Sequence, residues 1–187
     1  RREPPEGGCV SDIVIVPIGP VQEQIIRYLE RSIPELVGRS IETAAAIPVP
    51  EGAWDPRRMQ YEGDHILDGL ARIPAEGRSL LGIIDADCFT PGLNFVFGQA
   101  LFCGREGFIA LARLRQSFYG LPDDEELFLR RIVKEAVHEL GHTWGLAHCP
   151  DVECVMHFSN GLHDTDIKGP AYCTKCLIKA EPVMETV

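Results

Sequence analysis

The most constraining feature of this 187-residue chain is the run His138-Glu139-Leu140-Gly141-His142-Thr143-Trp144-Gly145-Leu146-Ala147-His148. His138 and His142 are four apart, so a helix puts both imidazoles on one face, where their nitrogens can converge on one ion at about 2.0–2.1 Å. Glu139 is one step round from the first ligand. It comes beside the ion rather than onto it, where a carboxylate can hold and deprotonate a water. Gly145 can take the left-handed conformation that stops a helix, and the turn brings His148 back as a third ligand. Three histidines leave a fourth position open, as a catalytic zinc requires and a structural one does not. Chance gives this pattern in on the order of one in twenty thousand chains of such composition. The isolated His65, His157 and His163 are read as solvated or core residues.

A helix of that kind is predicted from Pro122-Asp123-Asp124-Glu125-Glu126, whose proline and acids suit a helix N-terminus, to about Leu146. Leu127, Ile132, Val133, Ala136, Val137 and Leu140 form its apolar face, with Arg130, Arg131 and Lys134 opposite. Upstream, the pattern predicts strands at 12–18, 40–49 and 79–84 and helices at 21–31 and 63–73. Short strands at 94–97 and 108–114, about the Gly104–Gly107 turn, would form an edge hairpin. Asp85 and Asp87 are read as turn formers or helix caps rather than calcium ligands. Trp54 and Trp144 are read as packing residues.

Downstream, Cys149-x4-Cys154 and Cys173-x2-Cys176 supply four thiolates in two short-spaced pairs, enough for a closed structural zinc. Two disulfides or free thiols are the alternatives. An odd total of seven cysteines, four of them clustered, favours metal in a reducing compartment over a secreted disulfide framework. Cys9 is read as a free thiol. A small lobe poor in apolar residues would draw folding free energy from that metal, and the adjacency of His148 and Cys149 would link the two sites mechanically.

Composition narrows the partners. A net charge of −10 repels phosphate backbones, so no nucleic acid is expected. No apolar run reaches the roughly 18–20 residues that span a bilayer, so no membrane is expected. The opening Arg1–Gly8 has neither an initiator Met nor the succession of a signal peptide, and the expectation is a cytoplasmic protein. A monomer is expected.

The extended histidine pattern resembles the zinc-binding signature of the metzincin metallopeptidases. With Cys149 directly after His148, then Cys154-x-Met156 and Cys173-x-x-Cys176, it is similar to the archaemetzincin family in particular. The resemblance implies an α/β (α+β-like) fold: a mixed twisted sheet with two helices in an N-terminal subdomain, the active-site helix, and a small irregular C-terminal subdomain stabilised by a four-cysteine zinc. One metallopeptidase domain over 1–187 would comprise 9–146, including the active-site helix, and 147–187. Met156 would form the methionine turn beneath the metal. An antiparallel edge strand, for which 108–114 is the candidate, would pair with extended peptide. Some metzincins carry a tyrosine two residues after this methionine, where Phe158 stands here, so Tyr172 or Tyr119 would have to supply any such help.

The implied activity is peptide-bond hydrolysis with two Zn2+ per chain. Zinc on His138, His142 and His148 would bind a water that Glu139 activates, and Cys149, Cys154, Cys173 and Cys176 would hold the structural ion. The rival reading is a zinc-stabilised module that binds peptides or proteins with little turnover. Glu139 speaks against it, because a binder has no use for a base beside an open metal position.

Overall fold

The computed structural model describes residues 12–75 and 77–184, and Cys9 lies outside them. Its first strand, β1 (Ile13–Ile18), is apolar throughout because it is covered on both faces, and five of its six residues are buried. Parallel neighbours flank it, β2 (Ile41–Thr43) on one side and β5 (Ser79–Ile84) on the other. Beyond β5 come β8 (Glu106–Ala110), parallel to it, and then β7 (Gly98–Ala100), antiparallel to β8. The sheet is thus mixed, in the order β2-β1-β5-β8-β7.

Side chains alternate across this sheet. Ile13, Ile15, Leu81, Ile83 and Ile109 face one core, built with α1 (Glu23–Val37) and α3 (Glu125–Thr143). Val14, Val16, Leu80, Ile84 and Phe108 face the other, under α2 (Gly63–Ala71). Each fully buried aliphatic or aromatic side chain contributes about 1.5–3 kcal/mol. The apolar stripe of α1 continues through Ile33 and Val37, so the helix runs past the expected end at 31 to a left-handed Gly38. A second sheet, β3 (Trp54–Asp55), β4 (Gln60–Glu62) and β6 (Cys88–Phe89), has strands too short to leave a pattern in the sequence.

The edge strand differs from expectation. The segment 108–114 is no rim: β8 is wholly buried between two partners, and 112–114 turns into a 3-10 helix. The edge is β7, whose Gly-Gln-Ala sequence carries no strand signature. At 40–49 only β2 and an isolated bridge between Ile18 and Ile47 form. Asp85 and Asp87 close β5 through two-pronged ion pairs to Arg115 and Arg113. Trp144 is buried and its indole N–H donates to Ser79 Oγ, whereas Trp54 stays half exposed against Tyr61.

The C-terminal part is more regular than expected. It carries α4 (Leu162–Ile167) and α5 (Thr174–Met184). Nor does Arg131 lie on a solvent face. It is 3% exposed, with Nε and Nη2 on the Asp166 carboxylate at 2.6 and 2.7 Å and Nη1 on the Leu114 carbonyl. Lys134 donates to the carbonyls of Thr165 and Asp166. Both cations therefore tie α4 to α3, and Arg130 alone of the three is exposed. Among the described residues, no helix is long and apolar enough to cross a membrane.

Candidate metal centre

The N-terminus of α3 is capped by Asp124, whose carboxylate accepts from the Leu127 amide at 2.9 Å, two residues inside the predicted start. At its other end the helix closes at Thr143, and Gly145, at φ +83°, turns the chain away. The turn is fixed by Gly145 N–H donating to the His142 carbonyl and Leu146 N–H to that of Gly141.

Beneath the helix lies Met156, fully buried. A Cβ on Gly141 would come 2.4 Å from the Met156 sulfur and 3.0 Å from the Tyr172 ring. The absence of a side chain at Gly141 therefore lets Met156 and Tyr172 pack close against the helix. The same segment orients the first of them, because His138 Nδ1 donates to the Val155 carbonyl at 2.7 Å, while His142 Nδ1 donates to that of Leu146, also at 2.7 Å. Both bonds fix the tautomer with the proton on Nδ1 and the lone pair on Nε2.

The two Nε2 atoms lie 3.1 Å apart. Neither can donate to the other, so their close approach is repulsive until a cation binds both. His148 joins them, its ring centroid 4.8 Å from that of His142, and one ligand nitrogen from each of the three lies within 4.8 Å of the others. Burial pushes His138 well below its ordinary pKa, with Lys168 adding to the effect, and also lowers His142 and His148. Neutral imidazoles are the form that binds metal. Donor type, tautomer and convergence all fit a zinc ion.

Glu139 is 4% exposed and lines the cleft over the histidines. Burial holds its carboxyl well above the usual range; Glu135 adds to this and Lys168 opposes it. The cleft has a volume of about 390 Å3, and its lining includes Gly98, Gln99 and Ala100 of the edge strand and Phe158, Ser159 and Asn160. Phe158 packs its ring on His148, centroids 4.9 Å apart. Neither tyrosine supplies what Phe158 lacks. Tyr172 is buried with its hydroxyl on the Val137 carbonyl at 2.6 Å, and Tyr119 is 45% exposed beside Phe118.

The cysteines form a second cluster. Cys149 and Cys173 sulfurs are 3.9 Å apart, those of Cys154 and Cys176 3.8 Å, and one sulfur from each of the four lies within 4.8 Å of the rest. A tetrahedron with arms of about 2.3 Å has edges of about 3.8 Å, so the spacing suits four thiolates around zinc, and none of the four is joined in a disulfide. Backbone donation by Cys176 leads in pulling Cys173 down to about 7, while burial pushes Cys154 and Cys176 up. Cys149 N–H donates to the Met156 carbonyl at 2.9 Å, joining this cluster to the turn beneath the histidines. Cys88 and Cys103 belong to neither cluster.

Sequence reasoning missed Glu135, Lys168, Ser159 and Asn160. For Glu135 a signal was present, since it precedes His138 by three residues and so shares its helical face. Lys168 had none, because its partner is 33 residues away in the chain.

Residues 48–181 match the profile of Peptidase family M54. The chain is 40% identical over 172 residues to the archaemetzincin of Methanocaldococcus jannaschii, covering 92% of this chain and 94% of that one. It superposes on the crystal structure of archaemetzincin from Methanopyrus kandleri with a TM-score of 0.83 at 36% identity, over 96% of this chain and 99% of that chain. A zinc-dependent peptidase from Methanocorpusculum labreanum gives 0.81 at 25% identity, over 90% and 99%.

Proposed function

The chain belongs to the archaemetzincin family and is a peptidase, and from that premise we propose that it hydrolyses peptide bonds with zinc held by His138, His142 and His148 and with Glu139 as the base. The observation that carries this reading is the convergence of the three histidine nitrogens beside a buried carboxylate in an open cleft. Zinc bound there would polarise a substrate carbonyl and lower the pKa of water. Glu139 takes the proton of the attacking water on its carboxylate and passes it to the leaving amine. Burial, which raises the carboxyl's proton affinity, suits it to both halves of that transfer.

The edge strand β7 offers its free side to an extended peptide, so that affinity comes from main-chain hydrogen bonds more than from side chains. Gly145 turns His148 into position, and Met156 braces the helix from below. A second, structural zinc on Cys149, Cys154, Cys173 and Cys176 holds the C-terminal lobe, giving two Zn2+ per chain. One metallopeptidase domain over 1–187, divided at about 146, acts as a cytoplasmic monomer on peptide or protein substrates.

The test is a diverse peptide mixture incubated with zinc-loaded protein and read by mass spectrometry, with Glu139→Ala alongside. Cuts made by the parent and missing from the variant are expected, and their positions separate end-trimming from internal cleavage. No cuts in either, with two zinc ions per chain confirmed, would move the reading to a binding module.

A further inference from the structure

The cleft wall carries a carboxylate, held from beneath by a buried lysine, that the hydrolytic steps do not use. Glu135, 3% exposed, lies one turn before His138 on the same face of α3 and lines the cleft with Phe158, Ser159 and Asn160. Lys168, just after α4 and 1% exposed, has its Nζ 3.0 Å from Glu135 Oε1. Buried Thr165 donates its hydroxyl to the same oxygen, also at 3.0 Å. A lysine and a glutamate this deep are costly unless paired. Yet the pair is not needed as a clasp, since Arg131 and Lys134 already fasten α4 to α3.

The contacts described converge on Oε1, so Oε2 is the atom left to a group entering the cleft. Ser159, which lines the same cleft, has a buried hydroxyl with no protein partner. Both are preformed acceptors, already stripped of most of their water.

We propose that Glu135 is a specificity-determining residue of this peptidase and, with Ser159, receives the ammonium or guanidinium of a lysine or arginine flanking the scissile bond. The inference rests on the peptidase reading for the word scissile, and on the cleft alone for the binding. Reach supports it: three residues of helix separate Glu135 from His138 by about 4.5 Å along the axis, a span for a long side chain and not a short one. Energetics support it as well. A cationic donor completes Oε2 with a charge-assisted bond, whereas an apolar side chain excludes water from that oxygen and returns nothing. An acidic side chain would meet Glu135 and Glu139 together. Lys168 already shares the charge of Glu135, so the discrimination expected is about tenfold to a hundredfold, below that of an unshared buried group.

The test uses matched peptides that differ at one position, lysine, arginine or norleucine. Binding to zinc-loaded Glu139→Ala protein and cleavage by zinc-loaded protein with Glu139 intact are both measured. Basic peptides should be preferred over norleucine at least about tenfold, and Glu135→Gln should bring that ratio to within about twofold. Lys168→Gln, which keeps the carboxylate and removes its internal partner, should preserve or raise the ratio, and the double variant Glu135→Gln/Lys168→Gln should lose it. A purely structural pair would make both single variants fall together. No basic preference in the parent, or one that survives Glu135→Gln, overturns the proposal. Glu135-dependent binding without any cleavage would sink the peptidase reading and leave the pocket standing; cleavage without basic preference would do the reverse.

Discussion

The two candidate metal centres stand on adjacent residues, His148 and Cys149, and are built in opposite ways. The histidine centre grows out of a finished fold: two histidines on a 19-residue helix, a carbonyl on each Nδ1, and a cleft above. The cysteine centre has little fold to grow from. Its cysteines come from a loop and from the start of a short helix, and among the described residues the lobe around it holds few buried apolar side chains. One site receives its geometry from the protein, and the other would give geometry to the protein. The difference teaches where to look for function: an open position backed by a rigid scaffold is a place for chemistry, and a closed one is a substitute for a core.

The sharpest way to break this contrast is to remove one ligand from each. Cys154→Ser should cost one zinc per chain and lower Tm by at least about 10 °C, several kcal/mol at about 2–4 °C each, read by metal analysis and calorimetry. His142→Ala should also cost one zinc while shifting Tm by less than about 5 °C. Equal shifts would erase the distinction. The Cys149–Met156 backbone bond further predicts that Cys154→Ser weakens zinc at the histidines by about tenfold, and unchanged affinity there would show the sites to be independent.

Glu139→Ala comes next, with a loss of about 10²–10⁴ in kcat and zinc retained. Gly141→Ala sharpens the contrast from beneath. Its methyl would collide with Met156 and Tyr172, costing about 1–3 kcal/mol and lowering zinc affinity at the histidines, not at the cysteines. The smallest effect concerns protonation in metal-free protein. Because the Glu139 carboxyl is raised in the fold, its stabilising contribution is present below its unfolded pKa and is lost as pH rises through the folded value. Glu139→Gln removes that loss. Its Tm advantage over the parent should therefore be near zero at about pH 4 and grow toward pH 8.

What could be read in advance divides along the same line. Histidine ligands at i and i+4, and a glycine to turn the chain, are local requirements, so their spacing is written in consecutive residues. The paired spacing of the cysteines is local too. The edge strand was not legible, because a three-residue strand of Gly, Gln and Ala has no pattern and its position depends on β8. Arg131 looked like a solvent-facing cation because its partner, Asp166, lies 35 residues on. Lys168 beneath Glu135 was hidden for the same reason: long-range pairing decides whether a charge is on the surface or under the cleft.

The most direct test of two centres with two tasks is a zinc titration of the metal-free, reduced protein, with Tm and peptide cleavage read at each point. The first equivalent should enter the thiolate site and raise Tm by more than about 10 °C without cleavage, and the second should bring cleavage with little further change in Tm. Cleavage that saturates at one zinc per chain, or that rises in step with Tm, would contradict the account.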